Sequence, residues 1–321
     1  MVKLSAALIL GIEATNRTLT PRIINGQEHQ IADYPWLVSL WAPSADDFPS
    51  HCGGAILHQN WILTAAHCLW AGAQRASFMK EIKGSDWNRS LFVGDSVKVG
   101  MTYQDQSTED YGVYEKRIIS GHCHEDFQSD SQGELFADIC LLRVETIEDH
   151  EFKSITGSSQ KKICLPRSDT PPRNCYVAGW GITDAEDKSS ESNHLLAAHM
   201  PFIPHETCSA WYAEDRFELE REAHKCFGHD TGLHDSCQGD SGGPAMCYNS
   251  ALSQWEVHGL VSFADRCGAP RRPGVYTNVY NYAGWIHDTI NEFHPEANFT
   301  DATCGSSLPL FALAFLTATL F

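Results

Sequence analysis

Short runs of alternating β-branched and aromatic residues, each closed by Gly, Pro, Asn or Asp, recur from "WLVSLWA" at Trp36 to "GVYTNV" at Gly274. Between them lie "GGAILHQNWILTAAH", "SVKVGMTY", "ICLLRV", "CYVAGWG" and "WEVHGLVSF". A period of two turns side chains to opposite faces, which suits half-buried strands, and closely spaced turn residues join such strands antiparallel. The pattern predicts an all-β protein, sandwich or barrel, with little helix. Helix is expected over "AAHCLW", over "FELEREAHK" and in the run from Gly284 to Phe293. No repeat, low-complexity block or linker interrupts Ile23 to Phe293, so that stretch reads as one unit of two packed halves.

Size and charge narrow the function. With 321 residues, 42% of them hydrophobic, the chain can bury a large core. Asp and Glu number 41 against 23 Lys and Arg, and a formal charge of −18 argues against nucleic acid, whose phosphates require a basic face. Twelve cysteines occur without a CxxC pair or an HExxH signature, which favours disulfides in an oxidising compartment over a metal site, and no cofactor is expected. Asn16, Asn88 and Asn298 head Asn-x-Ser/Thr sequons, candidate glycosylation sites that accord with secretion. Residues 1–14, with Lys3, an apolar run and Ala14, suit a secretory signal. Residues 308–321 form an uncharged apolar tail too short to span a bilayer comfortably. Following the 294–307 linker, that tail reads as a signal for a glycosylphosphatidylinositol anchor, which would place the protein on the outer face of the plasma membrane.

The stretch "DSCQGDSGGP", Asp235 to Pro244, sets Ser241 among glycines. A hydroxyl is a poor nucleophile at neutral pH, so acyl transfer by Ser241 requires a base within reach and an orienting group behind it. "LTAAHC" supplies His67 and "ADICLL" supplies Asp138. His, Asp, Ser is one of three known chain orders for one catalytic geometry.

"IING" after Arg22, "CGGAIL", "WILTAAHC", "ADICLL", "YVAGWG", "CQGDSGGP" and "RPGVYTNV" together resemble the trypsin-like serine protease family over residues 23–293. Local similarity extends to the acrosin, prostasin and testis-protease branches. The resemblance implies two packed six-stranded antiparallel β-barrels with a short C-terminal helix. It further implies a Ser241 nucleophile, a His67 general base held by Asp138, and an oxyanion hole from the backbone N–H groups of Gly239 and Ser241, each donor worth about 3 kcal/mol. Residues 15–22 become a propeptide: an activating trypsin-like protease would cut after Arg22, and the new Ile23 α-ammonium would pair with Asp240. Asp235 falls at the base of the primary specificity pocket, where a poorly hydrated carboxylate selects Arg or Lys. Ser236 would assist it, Gly274 would keep the slot open, and Ser262 would present its backbone to the peptide as an added strand. Protein or peptide substrates and protein inhibitors are the partners so implied.

Two features depart from the family. Its "SWG-x-GC" segment is "SFADRC" here, with Ala264 and Arg266 in place of glycines. The Ala264 methyl would narrow the slot, and a folded-in Arg266 would neutralise Asp235. A restricted or non-basic preference, or a catalytically silent homologue acting as a binding module, are the rival readings. The resemblance pairs Cys52 with Cys68, Cys175 with Cys247, Cys208 with Cys226, and Cys237 with Cys267. Cys123, Cys140, Cys164 and Cys304 remain, open to three pairings. Loss of Cys304 with the tail would leave one thiol unpaired, for which Cys140, in an apolar strand beside Asp138, is the candidate.

Overall fold

The structure, a computed structural model, describes residues 23–24, 26–42, 50–70, 96–129, 134–155, 161–297 and 299. Arg22, the three sequons, Cys304 and the two apolar ends lie outside the described residues. After β1 (Gln27–Glu28), the first half contains β2 (Leu37–Ala42), β3 (Ser50–His58), β4 (Trp61–Thr64), α1 (Ala66–Trp70), β5 (Ser96–Val99) and β6 (Tyr114–Cys123). A small hairpin of β7 (Gln128–Ser129) and β8 (Leu135–Phe136) leads to β9 (Cys140–Val144) and α2 (Asp149–Ile155). Strands β2-β3-β4-β9-β6-β5 close into a six-stranded barrel. The alternation that marked these strands points one face into that barrel: Val97 and Val99 of β5 are fully buried between half-buried Ser96 and Lys98.

The second half runs through β10 (Cys175–Gly179), the hairpin β11 (Ile182–Asp184) and β12 (Asp187–Glu191), β13 (Leu196–His199), β14 (Phe202–Ile203), α3 (His205–Tyr212) and β15 (His224–Phe227). It ends with β16 (Pro244–Asn249), β17 (Gln254–Phe263), β18 (Gly274–Asn278) and α4 (Ala283–Phe293). Consistent with the expected two-barrel fold, the described strands of the second half form one curled eight-stranded sheet, β1-β13-β10-β16-β17-β18-β15-β14. The additional members are the two-residue strands β1 and β14, too short to show a period in sequence. The largest buried cluster runs from the barrel, through Trp36, Ile56 and Leu63, into the sheet, through Ala178, Met246, Val257 and Leu260. One shared apolar core therefore fixes the two halves against each other.

Two sequence expectations are corrected. Residues 217–225 are not helical: Phe217 and Leu219 are drawn into a cluster with Tyr212 and Cys226, and the chain is already strand at His224. Tertiary packing overrides the helical propensity of its glutamates. Cys140 is not a free thiol. Antiparallel register sets it directly opposite Cys123 across β9 and β6, and the two form a disulfide. The remaining described disulfides are Cys52–Cys68, Cys175–Cys247, Cys208–Cys226 and Cys237–Cys267. Cys164 is disulfide-bonded as well.

Candidate active site

His67 lies on α1, the short helix directly after β4, and Cys52–Cys68 ties that helix to β3. Asp138 precedes β9 and is almost wholly buried. Its Oδ1 accepts the backbone N–H of His67 at 2.8 Å, and its Oδ2 lies 2.7 Å from His67 Nδ1. A carboxylate cannot donate, so Nδ1 carries the proton and Nε2 is left as the acceptor that faces away. Oδ2 also accepts the Ser262 hydroxyl at 2.5 Å, and the Asp138 carbonyl accepts Thr277 Oγ1 at 2.7 Å. Burial pulls the His67 pKa down, but the charge and hydrogen bond of Asp138 outweigh it and leave the imidazole above its usual value. Burial alone would raise Asp138; the charge of His67 and three hydrogen bonds hold it below the carboxylate range.

The Ser241 loop leans on the first barrel. Gly53 N–H donates to the Ser241 carbonyl at 2.7 Å, and a side chain at Gly53 would press on Gly243 at 3.0 Å. Those contacts bring Ser241 to the barrel edge that carries His67. Among the described residues, Ser241 Oγ has no hydrogen-bond partner and His67 Nε2 meets only the Cys68 sulfur, at 3.9 Å. Gly239 holds φ at +96°, and a Cβ there would lie 2.8 Å from Gly181 Cα, so both conformation and space require glycine two residues before Ser241. Cys52, His67 and Cys68 are the one set of metal-type ligand atoms within 4.8 Å of one another among the described residues, but two of the three are spent in a disulfide.

Asp240 turns inward. Its Oδ1 accepts the N–H of Gly181 and its Oδ2 that of Cys237, each at 3.0 Å. Gly179 and Gly181 of "YVAGWG" make this possible, because a methyl at either position would overlap the carboxylate. Among the described residues no cation contacts Asp240. Burial accordingly pushes it up to about 6 against those two N–H groups, and the charge of Glu191 adds to the rise. Ile23 is fully buried in the second half with Cys175, Val177 and Leu196, and Ile24 bridges Asp235 in antiparallel fashion.

A cavity of about 470 Å³ adjoins Ser241. Ser236, Ser262, Phe263, Ala264 and Arg266 contribute to its wall. Asp235 contributes no wall surface; it lies beside Ser236 and is 1% exposed. Gly268 N–H donates to its Oδ2 at 2.9 Å, while Oδ1 has no hydrogen-bond partner. Burial raises Asp235 to about 7, moderated by the N–H groups of Gly268, Ser236 and Gly274. A Cβ on Gly274 would approach Asp235 Oδ1 at 3.2 Å and Ser236 Oγ at 3.0 Å. The Ser236 hydroxyl is engaged with Tyr276 OH at 2.9 Å.

Arg266 is not folded in. Its side chain is 70% exposed and its Nε meets Asp265 Oδ2 at 3.2 Å, so it neutralises Asp265 rather than Asp235. Phe263 stacks on Phe217 and meets the edge of His224, whose Nε2 lies 2.9 Å from the Leu135 carbonyl. His224 thereby links the Asp138 loop to the second half. Sequence reasoning passed over this link, the Ser262 hydroxyl on Asp138 and the role of Gly179 and Gly181.

The Trypsin family matches residues 23–286. The chain is similar to coagulation factor XI from Bos taurus, 34% identical over 272 residues that cover 83% of this chain and 37% of that protein. It is similar to ovochymase from Halocynthia roretzi, 30% identical over 84% of this chain and 15% of that protein. Hepatocyte growth factor activator serine protease from Mus musculus is 29% identical over 85% of this chain and 37% of its own length. The chain thus spans 15–37% of the length of these curated relatives. With the match running from Ile23 through His67, Asp138 and Ser241 to Ile286, the chain belongs to the trypsin family.

Proposed function

We propose that this chain is a serine endopeptidase, made as a zymogen, that cuts peptide bonds after Arg or Lys at the cell surface or in secretions. The observation that carries the reading is the 2.7 Å contact between Asp138 Oδ2 and His67 Nδ1, which leaves Nε2 an acceptor for the Ser241 proton. In the reaction, Nε2 takes the Ser241 proton as Oγ attacks the carbonyl carbon. The tetrahedral oxyanion is held by the N–H groups of Gly239 and Ser241. Collapse expels the amine, which receives the proton from His67; water then repeats the sequence on the acyl-enzyme. Catalytic hydrogen bonds of this kind tighten as the Michaelis complex forms, so the absence of an Oγ–Nε2 hydrogen bond among the described residues is compatible with that role. The cell-surface assignment rests on the terminal segments and on the disulfides, which oxidising compartments maintain.

Activation has a physical reason in Asp240. A buried carboxylate with two backbone donors and no cation among the described residues is costly, and cleavage after Arg22 would free an α-ammonium at Ile23 to pair with it. Pairing would fix Asp240 and, next to it, the Gly239 N–H. An Arg22→Gln chain, which the activating protease cannot cut, is expected to run about 10²–10³-fold below cleaved protein, the worth of one oxyanion donor. Fluorophosphonate labelling tests both points: cleaved protein should react at Ser241, and Arg22→Gln should react more slowly by about the same 10²–10³-fold factor. Cleaved protein that stays unlabelled overturns the protease reading.

The P1 preference rests on Asp235 Oδ1, a buried oxygen without a partner that a substrate guanidinium or ammonium would satisfy. Breaking a buried charge pair costs 2–5 kcal/mol, so Asp235→Asn should lower kcat/KM for arginine substrates by about 10³-fold and leave leucine substrates far less affected. The variant also reports its own folding. Asp235 titrates at about 7 in the fold against 3.8 ordinarily, so the parent loses stability as pH rises from 3.8 to about 7. Asparagine has no such loss, and the variant should be the more stable of the two at pH 8. Leucine esters that outrun arginine esters in the parent would refute the basic preference.

A further inference from the structure

Arg266 stands where the family has a glycine, on the wall of the same cavity as Ser241. Only its Nε is engaged, with Asp265 Oδ2 at 3.2 Å; its two terminal amino groups have no partner among the described residues. Asp265 is itself shared, because Arg272 Nε lies 3.6 Å from the same oxygen. The neighbouring carboxylates Glu214 and Asp215 contact Arg272 and not Arg266. Arg266 therefore presents a guanidinium fork that the described residues leave unsatisfied, and a planar fork of donors is matched by a carboxylate. The next residue, Cys267, is bonded to Cys237, so the backbone that carries the fork is pinned to the Ser241 segment. Glu186, another charge on the cavity wall, belongs to a different segment, the tip of the β11–β12 hairpin, which Ile182 N–H anchors to the Gln238 carbonyl.

Direction along the substrate follows from strand geometry. A peptide added antiparallel to the end of β17, with its P1 residue at Ser262, runs toward its own N-terminus as the protein chain runs toward Ala264 and Arg266. The strand ends at Phe263 and the chain bends at Asp265, which brings the Arg266 fork past P2. We propose that Arg266 recognises a carboxylate side chain at P3 or P4, so that the preferred substrates carry an acidic residue shortly before the basic residue that is cut. The inference rests on the protease reading above and adds a second, oppositely charged subsite to it.

The test uses binding, so that it does not depend on turnover. Full-length Ser241→Ala protein, cleaved after Arg22, is titrated by fluorescence polarisation with labelled peptides that hold P1 Arg constant and carry Glu, Gln or Lys at P2, P3 or P4. An exposed ion pair is worth up to about fivefold, so Glu at P3 or P4 should bind about fivefold more tightly than Lys, with no such preference at P2. The ratio should fall to about one in Arg266→Gln, persist in Arg266→Lys, reverse in Arg266→Glu and collapse in 0.5 M salt, a concentration set by the screening length of about 4–5 Å. A ratio near one in Arg266 protein, an unchanged ratio in Arg266→Gln, or no binding of any peptide overturns the proposal. Failure of the protease reading looks different: the Glu preference is present, yet protein with Ser241 intact hydrolyses none of the peptides.

Discussion

Asp138→Asn, cleaved after Arg22 like the parent, is expected to hydrolyse arginine amides about 10⁴-fold more slowly, with little change in KM. Three donors converge on the Asp138 carboxylate: His67 N–H, His67 Nδ1–H and Ser262 Oγ–H. A carboxylate accepts all three; an amide presents one oxygen and one NH₂. If the amide oxygen keeps the backbone N–H of His67, its NH₂ faces Nδ1 and can be tolerated only when Nδ1 is the acceptor. The imidazole then carries its proton on Nε2, where it cannot take one from Ser241. The same substitution removes the charge that lifts the His67 pKa, so the acidic limb of the pH–rate profile should move to lower pH. A loss smaller than about tenfold, or an unmoved acidic limb, would show that Asp138 does not set the tautomer.

What the sequence reveals and conceals follows the range of each interaction. Strands such as Ser96–Val99 and Cys140–Val144 are legible because one face of each is buried, which the period of two records locally. His67, Asp138 and Ser241 are legible because each sits in a distinctive short motif. The hydroxyl of Ser262 on Asp138 spans 124 residues of chain, and nothing near either residue announces it. Gly179 and Gly181 read locally as turn glycines, although their reason is the Asp240 carboxylate, 59 residues beyond Gly181. The Cys123–Cys140 pair was open in sequence because pairing depends on register, which only the closed barrel defines. The charged stretch at 217–225 has helical propensity, yet Phe217 and Leu219 gain more by burial beside Tyr212, and Cys226 commits the chain to strand. Arg266 is the instructive case on specificity: its sequence position raised the prospect of a blocked pocket, and the direction of one side chain, bound to Asp265 and otherwise in solvent, removes it.

Ser241→Ala is expected to lower kcat by about 10⁶-fold and to abolish fluorophosphonate labelling while leaving the fold intact. The two halves of this expectation have separate physical grounds. Oγ is the only protein atom proposed to bond to substrate carbon, and the alanine methyl offers no nucleophile in its place. Yet Oγ has no hydrogen-bond partner among the described residues, so its removal strands no buried donor or acceptor; the Ser241 carbonyl still receives Gly53 N–H at 2.7 Å. Stability should therefore stay within about 0.5 kcal/mol of the parent. Adding Asp138→Asn to Ser241→Ala should cost almost nothing further in rate, because Asp138 acts only through His67, and every proton transfer by His67 belongs to the path that Oγ attack begins. Losses that multiply, to about 10¹⁰-fold, would mean the two residues serve independent steps, and the single proton path from Ser241 through His67 to Asp138 would have to be abandoned.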